Sequence, residues 1–114
     1  MIENRFKRPL AAVALLIALA GCSGERKAAE QAVRDVLKDP ESAQFEEFYY
    51  NKELRRACLT FNAKNEMGGY GGKSQAYLIR QDGVWHWNGE HEESPEECRR
   101  TWADDKSFPT RKVD

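Results

Sequence analysis

The sequence predicts an α+β domain in which a small antiparallel sheet of about four strands is flanked by an N-terminal and a C-terminal helix. Three observations indicate this fold class. Apolar residues recur with helical spacing early in the chain, strand-like segments follow one another in its middle, and a helix-start signature stands near its end.

The first helix is indicated by a single apolar stripe. Its members fall at i, i+3, i+4, i+7 and i+8, namely Ala29, Ala32, Val33, Val36 and Leu37. Asp39-Pro40 is predicted to end the helix, because the residue before a proline is disfavoured in the α region. We expect the stripe to pack against the sheet and not against a partner.

Four segments are predicted as strands: Gln44 to Asn51, Ala57 to Ala63, Ser74 to Arg80, and Val84 to Trp87. The first is rich in aromatic residues, and the second alternates apolar and polar side chains. Asp82-Gly83 is predicted to join the last two in a hairpin, because both residue types accept positive φ. Asn88-Gly89 is predicted as a further turn.

The last helix is predicted to begin at Ser94 and to run to about Asp105. Ser94 is the N-cap, Pro95 suits the first helical position, and Glu97 completes a capping box. This start signature is the most complete local signal in the second half of the chain.

Residues 1–22 have the pattern of an export signal. A basic segment containing Arg5, Lys7 and Arg8 precedes an uncharged apolar segment from Leu10 to Ala20. The eleven residues of the apolar segment are too few to span a bilayer, which takes about 20.

The last four residues of this pattern, Leu19-Ala20-Gly21-Cys22, resemble the lipobox of bacterial lipoproteins. The resemblance implies that a diacylglycerol is attached to the Cys22 thiol, that the chain is cut before Cys22, and that the new amine is acylated. Ser23 resembles the outer-membrane sorting pattern, which implies an anchor in the outer membrane facing the periplasm. Two other interpretations are open: Ala18-Leu19-Ala20 also fits an A-x-A site that releases a soluble periplasmic protein, and the apolar segment also fits a buried helix.

The chain therefore divides into a signal peptide (1–21), a lipidated tether (22–27), one α+β domain (28–106) and a polar tail (107–114). Removing the signal leaves 93 of the 114 residues and changes the formal charge from −1 to −3, since three basic residues and one acidic residue are lost. This weak charge gives no footprint for nucleic-acid binding.

Cys58 and Cys98 are predicted to form a structural disulfide. Cys98 and Trp102 lie four residues apart on one helix face, which is expected to meet the sheet and bring Cys98 to Cys58. An even pair of cysteines suits an oxidising compartment, and closing a loop of about 40 residues stabilises a fold by roughly 4 kcal/mol. Neither cysteine belongs to a C-x-x-C motif, and two lone cysteines make a poor zinc site.

Several short motifs in the middle of the chain resemble a family of small bacterial and phage-borne envelope proteins of unknown function. The matching segments are Leu37 to Phe45 (LKDPESAQF), Cys58, Asn62 to Asn65 (NAKN), Gly68-Gly69-Tyr70 and Gly72, about a fifth of the mature chain. The chain departs from the family pattern at Leu59, where a glycine commonly follows the cysteine. The resemblance implies a compact α+β domain and brings no established activity.

The segment from Asn62 to Lys73 is the candidate surface for recognition. Its glycines accept positive φ and expose backbone N–H groups. Its candidate binding residues supply hydrogen bonds, one charge and an aromatic ring, and they are Asn62, Lys64, Asn65, Gly68, Gly69 and Tyr70. Such a set suits a sugar, a peptide end or an anionic head group. The structural alternative is that the glycines serve tight turns and the asparagines bond their own backbone.

No catalytic, metal-binding or cofactor-binding constellation is predicted. Gly72-Lys73-Ser74 lacks the earlier glycine of a phosphate-binding loop, because that position is Met67. His86 and His91 match no helix-face metal spacing and better fit a solvated acidic loop. The three tryptophans fit core packing better than a sugar platform, and they are Trp85, Trp87 and Trp102.

These observations favour a lipid-anchored, non-catalytic protein of the cell envelope that binds or assists a partner at the membrane surface. The membrane is reached through the N-terminal lipid, and the expected ligand is an envelope protein or a glycan. Three alternatives stay open: a phage-derived exclusion or immunity lipoprotein, a small enzyme acting on the cell wall, and a purely structural role.

Overall fold

A computed structural model describes residues 24–107, which form a four-stranded antiparallel sheet with helices before and after it. The strands are neighbours in space as in sequence: β1 (Gln44–Asn51), β2 (Arg56–Asn62), β3 (Ser74–Gln81) and β4 (Val84–His91). Residues 24–34 form α1, and a short 3-10 turn, Pro40–Ser42, precedes β1. After β4, α2 (Pro95–Cys98) continues as a π-helical segment, Arg99–Ala103. The predicted α+β class and antiparallel sheet are confirmed.

Each face of the sheet has its own core. On the first face α1 packs on the strands, and the buried apolar residues are Ala29, Val33, Ala57, Leu59, Phe61, Ala76, Leu78 and Trp85. On the second face the helical segment after β4 packs on the strands, and the core residues are Cys58, Tyr77, Cys98, Trp102 and Ala103. Because side chains alternate along a strand, β2 contributes to both cores. Because helical segments cover β2 on both faces, Arg56 to Phe61 are all buried.

The second face also buries a charged side chain, Arg56, which is 1% exposed. Its NH1 group donates hydrogen bonds to the carbonyl oxygens of Trp102 at 3.1 Å and Asp105 at 2.7 Å. Its guanidinium carbon lies 4.8 Å from the centroid of the Trp102 ring. Arg56 therefore binds the end of the C-terminal helical segment to the sheet.

Two bulges change the predicted strands. The first bulge lies in β4. Leu78 pairs with Trp87 and Ala76 pairs with Glu90, so Asn88 and Gly89 together face a single residue of β3. Gly89 takes φ of +119° there. The predicted turn at Asn88-Gly89 is therefore wrong: the two residues form a bulge inside β4, which continues to His91.

The second bulge lies in β1. Phe45 pairs with Phe61 and Phe48 pairs with Leu59, so Glu46 and Glu47 together face a single residue of β2. The extra residue brings Phe45 and Phe48 to the same face although they are three positions apart. Both rings pack against the first-face core.

α1 differs from its prediction at both ends. It stops at residue 34, and the next hydrogen bonds join residues three apart, as in a 3-10 helix. Val36 N donates to Val33 O at 3.1 Å, and Leu37 N donates to Arg34 O at 3.2 Å. Val36 consequently leaves the predicted stripe and is exposed. At the other end residues 24–27, assigned to the tether, are helical. Arg26 holds this first turn to β1 by donating to Glu46 O at 2.6 Å.

Three local predictions are confirmed. Asp82 and Gly83 have φ of +53° and +75°, as a two-residue type I′ hairpin requires. Cys58 and Cys98 form a disulfide, with their Cα atoms 6.1 Å apart. Ser94 caps α2, since its Oγ accepts a hydrogen bond from Glu97 N at 3.1 Å.

The predicted signal peptide, Cys22 and most of the predicted tail lie outside the described residues. Across residues 24–107, no helix is long and apolar enough to cross a membrane.

Candidate functional site

The antiparallel order separates the connections between strands into two groups. The β2–β3 connection, residues 63–73, lies at one end of the sheet, which we call the loop end. The β1–β2 turn, residues 52–55, and the β3–β4 turn, residues 82–83, lie at the opposite end, which we call the turn end. A strand of eight residues is about 26 Å long, so the two ends are well separated.

The loop at the loop end is folded on itself around Asn65. Asn65 N donates to Gly69 O at 2.8 Å, and Asn65 Oδ1 accepts from Met67 N at 3.0 Å and from Gly69 N at 3.3 Å. Lys64 and Tyr70 pair across the loop as an antiparallel bridge. Asn65 thus bonds its own backbone, which was the structural alternative considered for the asparagines.

The loop is also tied to the Pro40–Ser42 turn. Lys64 N donates to Ser42 Oγ at 2.9 Å, and the Tyr70 hydroxyl donates to Ser42 O at 3.1 Å. Lys38 and Glu66 form an exposed ion pair with N and O atoms 2.8 Å apart. Two segments that carry the resemblance to envelope proteins, residues 37–45 and 62–72, therefore meet at Ser42.

Five of the six predicted binding residues lie together on the exposed loop: Lys64, Asn65, Gly68, Gly69 and Tyr70. Lys64 Nζ lies 5.8 Å from the centroid of the Tyr70 ring. Asn62 stands apart, because it ends β2 and is partly buried. Its Oδ1 is buried and accepts no hydrogen bond from the residues that the structure describes.

Met67, at the tip of the loop, is a candidate residue that sequence reasoning missed. It is 94% exposed, and two further large apolar residues of the loop end are exposed, Val36 at 49% and Tyr70 at 44%. Among residues 24–107, the other exposed large apolar residue is Val84, which lies at the turn end. The sequence signal that could have identified Met67 is a single large apolar residue within a glycine-rich polar segment. An exposed loop of this kind does not need a methionine in order to fold.

A groove of about 400 Å³ lies beside the loop, between the chain that follows α1 and the last part of β4. Apolar side chains line part of it, among them Val36, Leu37 and Phe61. Lys38 and Lys64 contribute positive charge, and Glu90 and Glu92 contribute negative charge. Apolar surface flanked by both signs of charge suits a polypeptide segment better than a uniformly charged ligand.

The titratable cluster on the second face is built around Tyr77. Its hydroxyl lies 2.6 Å from Glu93 Oε2 and 2.9 Å from Thr101 Oγ1. Burial, followed by the hydrogen bond to Glu93, raises the pKa of Tyr77 above its ordinary value. A higher pKa keeps the phenol protonated near neutral pH, which is the reverse of what activation as a base requires.

The histidines are exposed and lie in β4, not in the predicted acidic loop, whereas packing accounts for the tryptophans. His86 pairs with Ile79 and His91 with Gln75, five residues apart along β4. No group of three or more His, Cys, Asp or Glu side chains within residues 24–107 is placed to hold a metal ion. Trp85 belongs to the first-face core and Trp87 packs against it, whereas Trp102 belongs to the second, so the three tryptophans form no common platform.

No protein-family model matches this sequence, and no curated protein or solved structure is detectably similar to it. The resemblance to small envelope proteins therefore stays a prediction from the motifs.

Proposed function

We propose that the protein is a lipid-anchored, non-catalytic module of the cell envelope that binds a protein partner through its loop end. The observation that supports this proposal most directly is at the tip of the loop, where the Met67 side chain is 94% exposed. The backbone of this loop is held by hydrogen bonds within the loop itself. The membrane is reached through the lipid on Cys22, which the lipobox resemblance implies.

A loop held in one conformation suits binding for an entropic reason. Ordering a flexible loop on association costs free energy, and a loop that is already ordered avoids that cost. Asn65 and Ser42 supply the ordering here, the first within the loop and the second from the adjacent turn. Methionine at the tip is flexible and polarisable, so it adapts to an apolar surface on a partner.

A protein partner is favoured over a glycan by the composition of the loop end. Met67 and Val36 present apolar side chains, and the adjacent groove carries both signs of charge. An exclusion or immunity lipoprotein would use the same surface, with an incoming protein as its partner. That second function differs in the identity of the partner and not in the residues that contact it.

The test places a photo-cross-linking amino acid at position 66, beside Met67, in living cells. We expect a defined adduct, and we expect Met67→Ser to reduce its yield about fivefold or more, the effect of losing a contact worth about 1 kcal/mol. The matched control is Val84→Ser, which changes an exposed apolar residue at the turn end. Both variants should melt close to the unmodified protein, because isolated surface substitutions usually change stability by no more than about 0.5 kcal/mol.

Two results would contradict the proposal. One is an adduct yield that Met67→Ser and Val84→Ser change equally. The other is the same adduct from a cross-linker at position 100, on the exposed side of the C-terminal helical segment. Tyr70→Ala is a poor probe, because the Tyr70 hydroxyl bonds Ser42 and its removal also loosens the loop.

A further inference from the structure

The two edge strands of the sheet, β1 and β4, differ in how their edges are protected. An unpaired edge exposes backbone N–H and C=O groups that can pair with another chain. On β1 the bulge carries two carboxylates, Glu46 and Glu47, and Glu46 O already accepts a hydrogen bond from Arg26. On β4, the run from Val84 to Gly89 contains no Lys, Arg, Asp, Glu or Pro, and the bulge begins only at Asn88. The first half of the β4 edge is therefore open to a further strand.

The hydrogen bonds of β3 show which backbone groups of β4 point outward. Arg80 N donates to Arg55 O at 2.8 Å, toward β2, so Arg80 and its β4 partner Trp85 form a non-hydrogen-bonded pair. The N–H and C=O of Trp85 then point away from the sheet. The same orientation recurs two residues later at Trp87, which pairs with Leu78. Within residues 24–107, no backbone group is bonded to either tryptophan on that side.

Two grooves lie beside β4 on the first face, between this strand and α1 with the residues that follow it. One, of about 280 Å³ at the start of β4, is lined in part by Ala28, Ala32 and Trp85. The other is the groove of about 400 Å³ at the loop end, whose lining includes Val36 and Leu37. Together the grooves follow β4 from its start to its end, so a strand added to this edge can place alternate side chains in them.

The charges beside the grooves indicate the chemistry of the occupant. Glu90 and Glu92 line the groove at the loop end, and neither forms an ion pair within residues 24–107. Of the two lysines there, Lys38 is paired with a glutamate of the loop, and Lys64 lies over a tyrosine ring. A basic side chain on the occupant complements the two carboxylates.

We propose that the partner bound at the loop end also adds a short extended segment to the open edge of β4. The segment forms backbone hydrogen bonds with Trp85 and Trp87, carries apolar side chains at alternate positions, and places a basic residue beside Glu90 and Glu92. In such strand addition the main chain supplies affinity, and the pockets for alternate side chains supply specificity. This inference rests on the proposed function, because the groove at the loop end belongs to the same binding surface.

A partner segment suits this edge better than a second copy of the chain. Two copies paired antiparallel, with Trp85 of one opposite Trp87 of the other, would bring Glu90 of each beside Asp82 of the other. Like charges directly opposite each other destabilise a strand pair. The bulge also ends the regular edge after Trp87, which leaves enough length for a short segment and little for a sheet continued across two copies.

The test replaces Trp87 by proline or by valine in the chain that carries the photo-cross-linking amino acid at position 66. Both variants lose the indole ring, and only the proline variant lacks the outward N–H. Proline is tolerated on an edge strand where the N–H would face solvent, so the pairing of β4 with β3 is kept. We expect the adduct yield in living cells to be about fivefold or more lower in Trp87→Pro than in Trp87→Val. Equal yields overturn the proposal.

A cross-linker at position 88, in the exposed bulge of β4, tests the same contact in a chain with native Trp87. We expect the adduct to have the same mass as the one from position 66. No adduct is expected from position 47, which is exposed in the bulge of β1 at the opposite edge. No adduct at position 88, or an adduct with twice the mass of the chain, which identifies a second copy, overturns the proposal.

The charge contact is tested with Glu90→Gln combined with Glu92→Gln. The matched control is Glu53→Gln combined with Glu96→Gln, the same change of charge at exposed carboxylates outside the groove. We expect the first pair to lower the adduct yield from position 66 about threefold and the control pair to leave it unchanged. Equal yields in the two double variants overturn the basic residue in the partner segment.

Two results separate the strand addition from the proposed function. No adduct from position 66 contradicts the proposed function and the strand addition with it. An adduct that Met67→Ser reduces, and that Trp87→Pro and Trp87→Val give in equal yield, leaves the proposed function in place and overturns only the strand addition. Val84→Ser stays a control for both, because the backbone groups of Val84 pair with Gln81 in the hairpin.

Discussion

Replacing both bridging cysteines, Cys58→Ala together with Cys98→Ala, is expected to lower the free energy of unfolding by about 4 kcal/mol. The bridge spans 40 residues of sequence and joins β2 to α2. Without it the unfolded chain gains the conformational entropy that the closed loop removes. The double variant avoids a buried free thiol, and both positions lie in the second-face core. For a domain of this size the loss corresponds to a fall in melting temperature of roughly 20 °C.

Urea unfolding without reductant measures the effect, and the wild-type protein unfolded with reductant provides the control. The two comparisons should agree, because each removes the same covalent constraint. A double variant within about 1 kcal/mol of the wild-type protein would show that the second-face core holds the helix to the sheet by packing alone.

Arg56→Met is expected to lower the free energy of unfolding by about 3 kcal/mol, because two backbone carbonyl oxygens lose a donor. Methionine keeps an apolar stem of similar length and removes the donors that Arg56 gives to the carbonyl oxygens of Trp102 and Asp105. Without Arg56, Trp102 O depends on backbone N–H groups that follow the helical segment, such as Asp105 N at 3.4 Å, a longer hydrogen bond than the one from Arg56. Burial lowers the pKa of Arg56, and the nearby Asp105 carboxylate opposes that shift.

The matched control is Arg100→Met, the same substitution at a largely exposed arginine of the same segment. It should change stability by no more than about 0.5 kcal/mol. Near-ultraviolet circular dichroism should report a change at Trp102 in Arg56→Met alone, since the guanidinium stacks on that ring. Equal losses in the two variants would contradict a specific role for Arg56.

The parts of the fold that follow from local chemistry could be predicted from the sequence. The hairpin at Asp82-Gly83 depends on two residue types that accept positive φ, and the start of α2 depends on a serine cap. Asn88-Gly89 shows the limit of this reasoning, because the same pair serves equally in a turn or in a bulge. The choice depends on the register with β3, which lies more than ten residues away.

The candidate site was predictable in its location and not in the roles of its residues. Glycines and polar residues between two strands indicated an exposed loop, and the loop is exposed. The contacts of Lys64 and Tyr70 with Ser42 depend on a turn more than twenty residues earlier in the chain. The exposure of Met67 and the burial of Arg56 reverse the usual preferences of their residue types, so composition alone could not indicate either.

The central claim, that this chain is held on a membrane by a lipid on Cys22, is tested most directly by Cys22→Ser. Cells producing the wild-type chain and the variant are fractionated, and the intact mass of the mature protein is measured in each fraction. We expect acylated wild-type protein that begins at residue 22 in the membrane fraction, and a variant that carries no acyl mass and does not accumulate as mature protein on the membrane. Mature Cys22→Ser protein on the membrane, with the same mass as the wild-type chain apart from the substitution, would contradict the account.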